Sequence, residues 1–369
     1  MARKNQPKKR RLWIGASILV VVLVAGAIAK ARFVGDLHFR SGEAVDAPHP
    51  QATWPWPNAT KETLWPGVTH WQQVSSHDAT RLEFFEFDLT ANPKLRLEIY
   101  DQDEDDATPF DNKAKIYERG VAQVVSHLEK KGRGTVLLAC NGLYYGYDSS
   151  GPSGTAWHVS PVMLAGKSHY ANGENHRWTF GVRNTESGPV FTHLRRPDTA
   201  TIEKTFEFSS GAAHCLVLEG KPYGLAPLPK TPGLQADGKP YTELGKNFEW
   251  MRTSRIAFGW TKDSKRLYLL LVKEPDEEAI SNWAVEYGIP LGGGWTFTDL
   301  QNFWLKLGVW GAINSDGGDV DQLVYRQPSG NYFLIPPMGT FASSQSYSPS
   351  FTGAPHAGSL MYWVIREQK

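Results

Sequence analysis

The chain has 369 residues, 41% apolar and 21% charged, which is enough to bury a sizeable core and too apolar for disorder over most of its length. The net charge of +1 conceals a split. Residues 1–32 carry eight Lys/Arg and no acid, which leaves 31 cations against 38 acids, a net of −7, in the remainder. A net-acidic globular part lacks the cationic surface that nucleic-acid binding draws on, so that class of partner is excluded.

Leu12 to Ala29 holds no charged residue, and its 18 residues are just long enough for a spanning helix. The six cations before it keep the N-terminus cytoplasmic under the positive-inside rule and place the rest of the chain outside, in the periplasm or at the cell surface. A cleavable signal ending at Ala27-Ile28-Ala29 is the rival reading, but the apolar run is longer than a usual signal core. The expected organisation is a basic tail at 1–11, a transmembrane signal anchor at 12–31, a tether at 32–67 and one globular domain at 68–369. Within the tether, Trp54-Pro55-Trp56-Pro57 breaks regular structure and is expected to pack along the outside of the domain rather than on a sugar or a membrane.

Strand character begins with 81–89 and 95–100. The acidic run Asp101 to Asp106 lacks the EF-hand spacing with its central glycine and reads as a solvated loop. A helix is predicted over Lys115 to Lys130, with Val121, Val124, Val125 and Leu128 on one side. Thr135 to Cys140 is a continuous apolar run, hence a buried strand, and it empties into Asn141-Gly142. Further strands are predicted at 159–164, 178–182, 190–194, 214–218, 255–260 and 266–272, with a Pro/Gly-rich insertion at 220–247. A second helix is predicted over Thr298 to Leu307, with Thr298 as N-cap and Gly308 ending it. The buried strand 309–313 then opens into Asn314-Ser315-Asp316-Gly317-Gly318. The mix is α+β with more strand than helix: a mixed sheet core with flanking helices. Cys140 and Cys215 allow either one disulfide or two buried thiols, and no CxxC spacing supports zinc or redox chemistry.

Three elements can carry chemistry. The turns after Cys140 and Ile313 place Asn141, Asn314 and Asp316 at rigid strand ends, although Asn-Gly and Asp-Gly-Gly are also ordinary turns. Arg252-Thr253-Ser254-Arg255 puts two guanidinium forks before a strand, a geometry suited to phosphate or to plain surface ion pairs. His158, His169, His176, His193 and His214 lack a paired metal spacing and read as structural or surface residues.

In order and spacing, Asn141-Gly142-Leu143-Tyr144-Tyr145, Arg252-Thr253 before Ile256-Ala257-Phe258-Gly259, and Asn314-Ser315-Asp316-Gly317-Gly318 resemble the phosphodiester glycosidase family. Pro161 to Lys167 before Phe180-Gly181-Val182 is a weaker fourth match. The likeness spans about 80 to 360, and many exported bacterial proteins share the domain. Leu143, Ser315 and Asp319-Val320 depart from the family pattern and reshape the surroundings of the polar residues. The resemblance implies a membrane-anchored hydrolase that cleaves a sugar-1-phosphodiester in a glycan such as an envelope exopolysaccharide, without metal or cofactor. The implied catalytic residues are Asp316 (nucleophile or base), Arg252 (phosphate clamp) and Asn141. Gly142, Thr253, Arg255, Asn314, Gly317 and Gly318 are the implied substrate contacts, with Asp319 or Asp321 as second carboxylate. A non-catalytic polysaccharide-binding protein on this fold, or a metal-dependent phosphoesterase using Asp316, Asp319 and Asp321, are the alternatives.

Overall fold

The computed structural model describes residues 48–368, leaving out 77, 116–118, 133, 143, 149–154, 171–177, 225–251, 276–292, 319, 338–344 and 348–358. The expected anchor at 12–31 and most of the 220–247 insertion therefore lie outside the described residues. Among those described, no helix is long and apolar enough to cross a membrane.

The protein is mostly β-sheet with few helices. The main path of a large sheet runs Thr60–Trp65, Val68–Val74, Arg81–Asp88, Arg266–Lys273, Arg255–Trp260, Gly311–Gly317, Phe208–Leu218, Trp178–Thr185, Gly188–Arg195. A second sheet runs Gln345–Tyr347, Tyr332–Ile335, Leu323–Arg326, Thr135–Asn141, Met361–Glu367, Leu95–Asp101. Every strand pairing among the described residues is antiparallel, for example Arg255–Trp260 on Arg266–Lys273, Thr135–Asn141 on Met361–Glu367 and Gly311–Gly317 on Phe208–Leu218. The expected mixed sheet is therefore corrected. A parallel pair needs a crossover, usually a helix, and only three α-helices occur among the described residues.

The two sheets face each other across one apolar core. Phe85, Phe180, Ile256, Phe258 and Ile313 enter it from the large sheet, and Leu97, Leu138, Cys140, Trp363 and Ile365 from the smaller one. Cys140 and Cys215 both lie in this core as free, buried thiols, so no disulfide joins them. The outer face of each sheet is covered by one amphipathic helix. Helix α1 (Val121–Lys130) lays Val121, Val124, Val125 and Leu128 on Val136, Ala139, Val324 and Val364. It starts later than Lys115, because Ala114–Lys115 is a strand and Gly120 is the N-cap. Helix α2 (Thr199–Thr205) is a short surface element capped by Asp198. Helix α3 (Phe297–Leu307) buries Phe297, Leu300, Phe303 and Trp304 against Ala257, Leu270 and Val272. Its N-cap is Thr296 rather than Thr298. Thr296 Oγ1 accepts from the Asp299 N–H and Asp299 Oδ2 from the Thr296 N–H, a reciprocal capping box. Gly308, in left-handed backbone at φ 79°, ends the helix where predicted.

Residues 48–67 are part of the domain and not a tether. Trp56 is buried among Phe84, Trp295 and Phe303, and Thr60–Trp65 pairs with Val68–Val74 as the edge strand of the large sheet. The Trp-Pro segment thus packs on its own domain. The acidic run is no solvated loop throughout either, since Asp101 and Asp103 are fully buried.

Candidate active site

Three buried strands release their polar residues at one end of the sandwich. Asn141 closes the Thr135–Asn141 strand, Asp316 lies near the end of Gly311–Gly317, and Arg255 opens Arg255–Trp260. An irregularity in register between Ile256 and Ala257 sets which way Asp316 points. Ala257 pairs with Asn314 and Ile256 with Asp316, so one extra residue, Ser315, sits on the carboxylate's strand. Directly opposed residues in an antiparallel pair share a face. Ile256 belongs to the inter-sheet core and Ala257 to the core under α3, so the bulge turns Asp316 toward the smaller sheet and leaves Asn314 on the other face.

Asp316 thereby meets Asn141 across the sandwich. The Asn141 Nδ2 donates to Asp316 Oδ2 at 2.7 Å and to Asp321 Oδ1 at 3.1 Å, and its Oδ1 accepts from the Gln322 N–H at 2.9 Å. Both amide protons are thus spent on carboxylates. Asn141 holds an acid pair in place, with both of its donors engaged. Asp316 Oδ1 accepts from the Gly317 N–H, and Asp316 is 2% exposed. Asp321 is fully buried with its Oδ2 unpartnered, and burial raises its carboxyl to about 7. Lys273, the Asn141 bond and Arg255 oppose that rise, while Glu274 adds to it. Lys273 Nζ donates to the Asp321 carbonyl at 2.8 Å.

The Arg-Thr-Ser-Arg segment divides into an outer and an inner cation. Arg255 is fully buried: its Nε donates to the Trp295 carbonyl at 3.0 Å, and its guanidinium stacks 4.5 Å from the Phe297 ring. Burial lowers its pKa, with Tyr144, Asp321, Glu274 and Asp299 acting the other way. It is a fixed charge beneath the site and not a surface clamp. Arg252 is partly exposed and lies four residues before Ile256, which pairs with Asp316. An extended chain covers that interval in about 13 Å, so Arg252 borders the same region. Thr253 is committed elsewhere. Its Oγ1 donates to Glu274 Oε2 at 2.8 Å, and the Ser254 N–H and Oγ bind the same oxygen.

The glycines also sort by role. A Cβ on Gly142 would sit 2.6 Å from the Met361 side chain, and one on Gly317 would sit 2.9 Å from Arg255 Nη1, so both are packing requirements. Gly318 has φ +97° with open space around its Cβ position, the one of the three that leaves room for a ligand. Asn314 is fully buried, and neither of its amide atoms has a hydrogen-bond partner among the described residues. Asp319 and Leu143 lie outside the described residues. Lys273 and Glu274 went unnoticed in the sequence, although Leu267 to Val272 empties into them just as the other two apolar runs empty into Asn141 and Asn314.

An amide-bridged acid pair, one member titrating near neutrality, with fixed cations around it, is equipment for acid–base or nucleophilic chemistry next to an anion. The chain belongs to the phosphodiester glycosidase family, whose model matches residues 134–345. It is similar in structure to the catalytic domain of zebrafish N-acetylglucosamine-1-phosphodiester alpha-N-acetylglucosaminidase, auto-inhibited by its pro-peptide, at 16% identity and TM-score 0.49 over 88% of this chain and 87% of that one. It is also similar to a hypothetical protein from Synechocystis, at 13% identity and TM-score 0.44 over 85% of this chain and 64% of that one. No curated protein matches it.

Proposed function

We propose that the protein hydrolyses a sugar-1-phosphodiester by breaking the bond between the anomeric carbon and the phosphate oxygen. The observation that carries this reading is the Asn141 nitrogen touching both Asp316 and Asp321. It keeps the two nearest carboxylate oxygens less than about 6 Å apart, which is compatible with the close carboxyl pair of a retaining enzyme (~5–5.5 Å).

Asp316 attacks the anomeric carbon and forms a glycosyl ester. The bond to the phosphate oxygen breaks, and its electron pair leaves with the phosphate monoester. That leaving group has a second pKa of about 6, so it departs with little help from an acid. Arg252 holds the departing phosphate. Water then attacks the ester, Asp321 takes its proton, and the sugar is released with a free anomeric hydroxyl. A carboxyl near 7 is matched to that exchange at neutral pH.

The test is hydrolysis of a panel of glycosyl-1-phosphodiesters in ¹⁸O-water. Label on the released sugar and a retained anomer seen by proton NMR are expected, whereas label on the phosphate would overturn the reading. Asp316→Asn is expected to lower turnover by at least ~10³-fold, by analogy with the loss of other nucleophiles, while circular dichroism stays unchanged. The metal-dependent alternative calls on Asp319, outside the described residues, and its other two acids already accept from Asn141. The uncharged run from Leu12 to Ala29 supports a membrane-anchored, exported enzyme acting on envelope or lipid-linked glycans. Removal of residues 1–31 is then expected to move the protein from the membrane to the soluble fraction, and unchanged membrane retention would refute the anchor.

A further inference from the structure

A second acidic cluster lies outside the acid pair. Carboxylate oxygens of Asp103, Asp106 and Asp111 all lie within 4.8 Å of one another. Each carboxylate spends one oxygen on its own surroundings. Asp103 Oδ2 accepts from the Tyr170 hydroxyl and the Asn112 N–H, Asp106 Oδ1 from the Thr108 N–H, and Asp111 Oδ2 from the Thr108 hydroxyl. The second oxygen of Asp103 is the telling one. Asp103 is fully buried, and its Oδ1 has no hydrogen-bond partner among the described residues. A desolvated carboxylate oxygen without a donor is unfavourable unless a ligand satisfies it. Among the described residues no cation of the protein pairs with these three acids: His158 pairs with Asp101, His127 with Asp105, and Lys131 with Asp105 and Glu104.

We propose that Asp103, Asp106 and Asp111 form a Ca²⁺ site. Ca²⁺ binds oxygens at about 2.3–2.6 Å, so ligand atoms around one ion lie up to about 5 Å apart, which these carboxylates satisfy. Three carboxylates with water and loop carbonyls suit its flexible shell of six to eight oxygens better than the strict octahedron of Mg²⁺. The spacing is not that of an EF-hand, and no central glycine is required.

The position gives the ion a structural task. The loop leaves the strand that ends at Asp101, which pairs with Met361, and the Met361 carbonyl accepts the Gly142 N–H at 2.8 Å. Ca²⁺ would therefore tie down the sheet end that presents Asn141. This does not depend on the reaction proposed above, because the ion takes no part in it.

The test uses the full-length chain in detergent, stripped with EGTA and titrated with Ca²⁺ alone by calorimetry, with melting followed by tryptophan fluorescence. One equivalent binding below about 1 mM and a rise in Tm of at least about 2 °C at saturation are expected. Asp111→Asn, at an exposed position, is expected to weaken Ca²⁺ binding at least tenfold without changing the Tm of the stripped protein. Asp103→Asn should abolish binding. No heat and no Tm change at 10 mM Ca²⁺, an equal response to Mg²⁺, or a response unchanged in Asp111→Asn would each overturn the proposal.

Discussion

Asn141 does its work by being an amide. Its two N–H donors match two carboxylates, and its carbonyl matches one backbone N–H, so no other common side chain of that size can replace it. Asn141→Ala leaves two acids and a buried N–H without their partner. It is expected to cost about 1–3 kcal/mol of stability, read by urea denaturation, and to lower kcat by roughly 10²-fold through lost positioning. Asp321 makes a pH prediction with a definite sign. Its carboxyl sits near 7 in the folded protein and near 3.9 when unfolded, so the folded state holds the extra proton between those values. Stability contributed by that proton is therefore present at low pH and is lost as pH rises from about 4 to about 7. Asp321→Asn should flatten this part of the profile of urea midpoint against pH, and it should remove a limb near pH 7 from kcat, which drops by ~10²–10⁴-fold. Asn141 and Asp316 stand where apolar strands give way to polar turns, and that made them legible in the sequence. The same signal stood at Lys273-Glu274. What sequence could not show is that Asn141 bridges two acids, because its partners are 175 and 180 residues away.

At the scale of elements, local signals located helices well and their first residues less well. The apolar spacing of α1 and α3 was readable because a single buried stripe must recur every 3.6 residues. The cap of α3 lies two residues before the predicted one, since Thr296 and Thr298 are both cap-type residues and only the reciprocal bond with Asp299 distinguishes them. Thr296→Ala is expected to destabilise the protein by about 0.5–2 kcal/mol, measured by chemical denaturation, with Thr298→Ala within about 0.5 kcal/mol of wild type. The edge strand Thr60–Trp65 escaped notice because its first four residues are exposed and polar. An edge strand needs few apolar residues and gains from charges that discourage pairing with other chains. The bulge at Ser315 had no signal of its own, yet it aims Asp316 at Asn141.

For the whole molecule, stability rests on two sheets closed over one core, with a helix on each outer face. Cys140 and Cys215 are enclosed in that core. Burial pushes both thiols well above their usual range, with Asp321 and Asp316 adding to the effect at Cys140. Neither thiol is expected to react with a disulfide reagent until the protein unfolds, and a reductant is expected to leave the Tm unchanged; fast labelling of the folded protein would contradict the enclosure. The sequence by itself determined most of the buried strands up to Ile313, where the two covering helices lie, and that polar groups gather at strand ends. Those properties follow from periodicity and composition, which are local. Tertiary structure alone decided the antiparallel pairing, the inclusion of residues 48–67, the face on which Asp316 emerges, and the burial that moves Asp321 toward neutrality. Each of these depends on which distant strands become neighbours, and so on register and desolvation that no window of sequence contains.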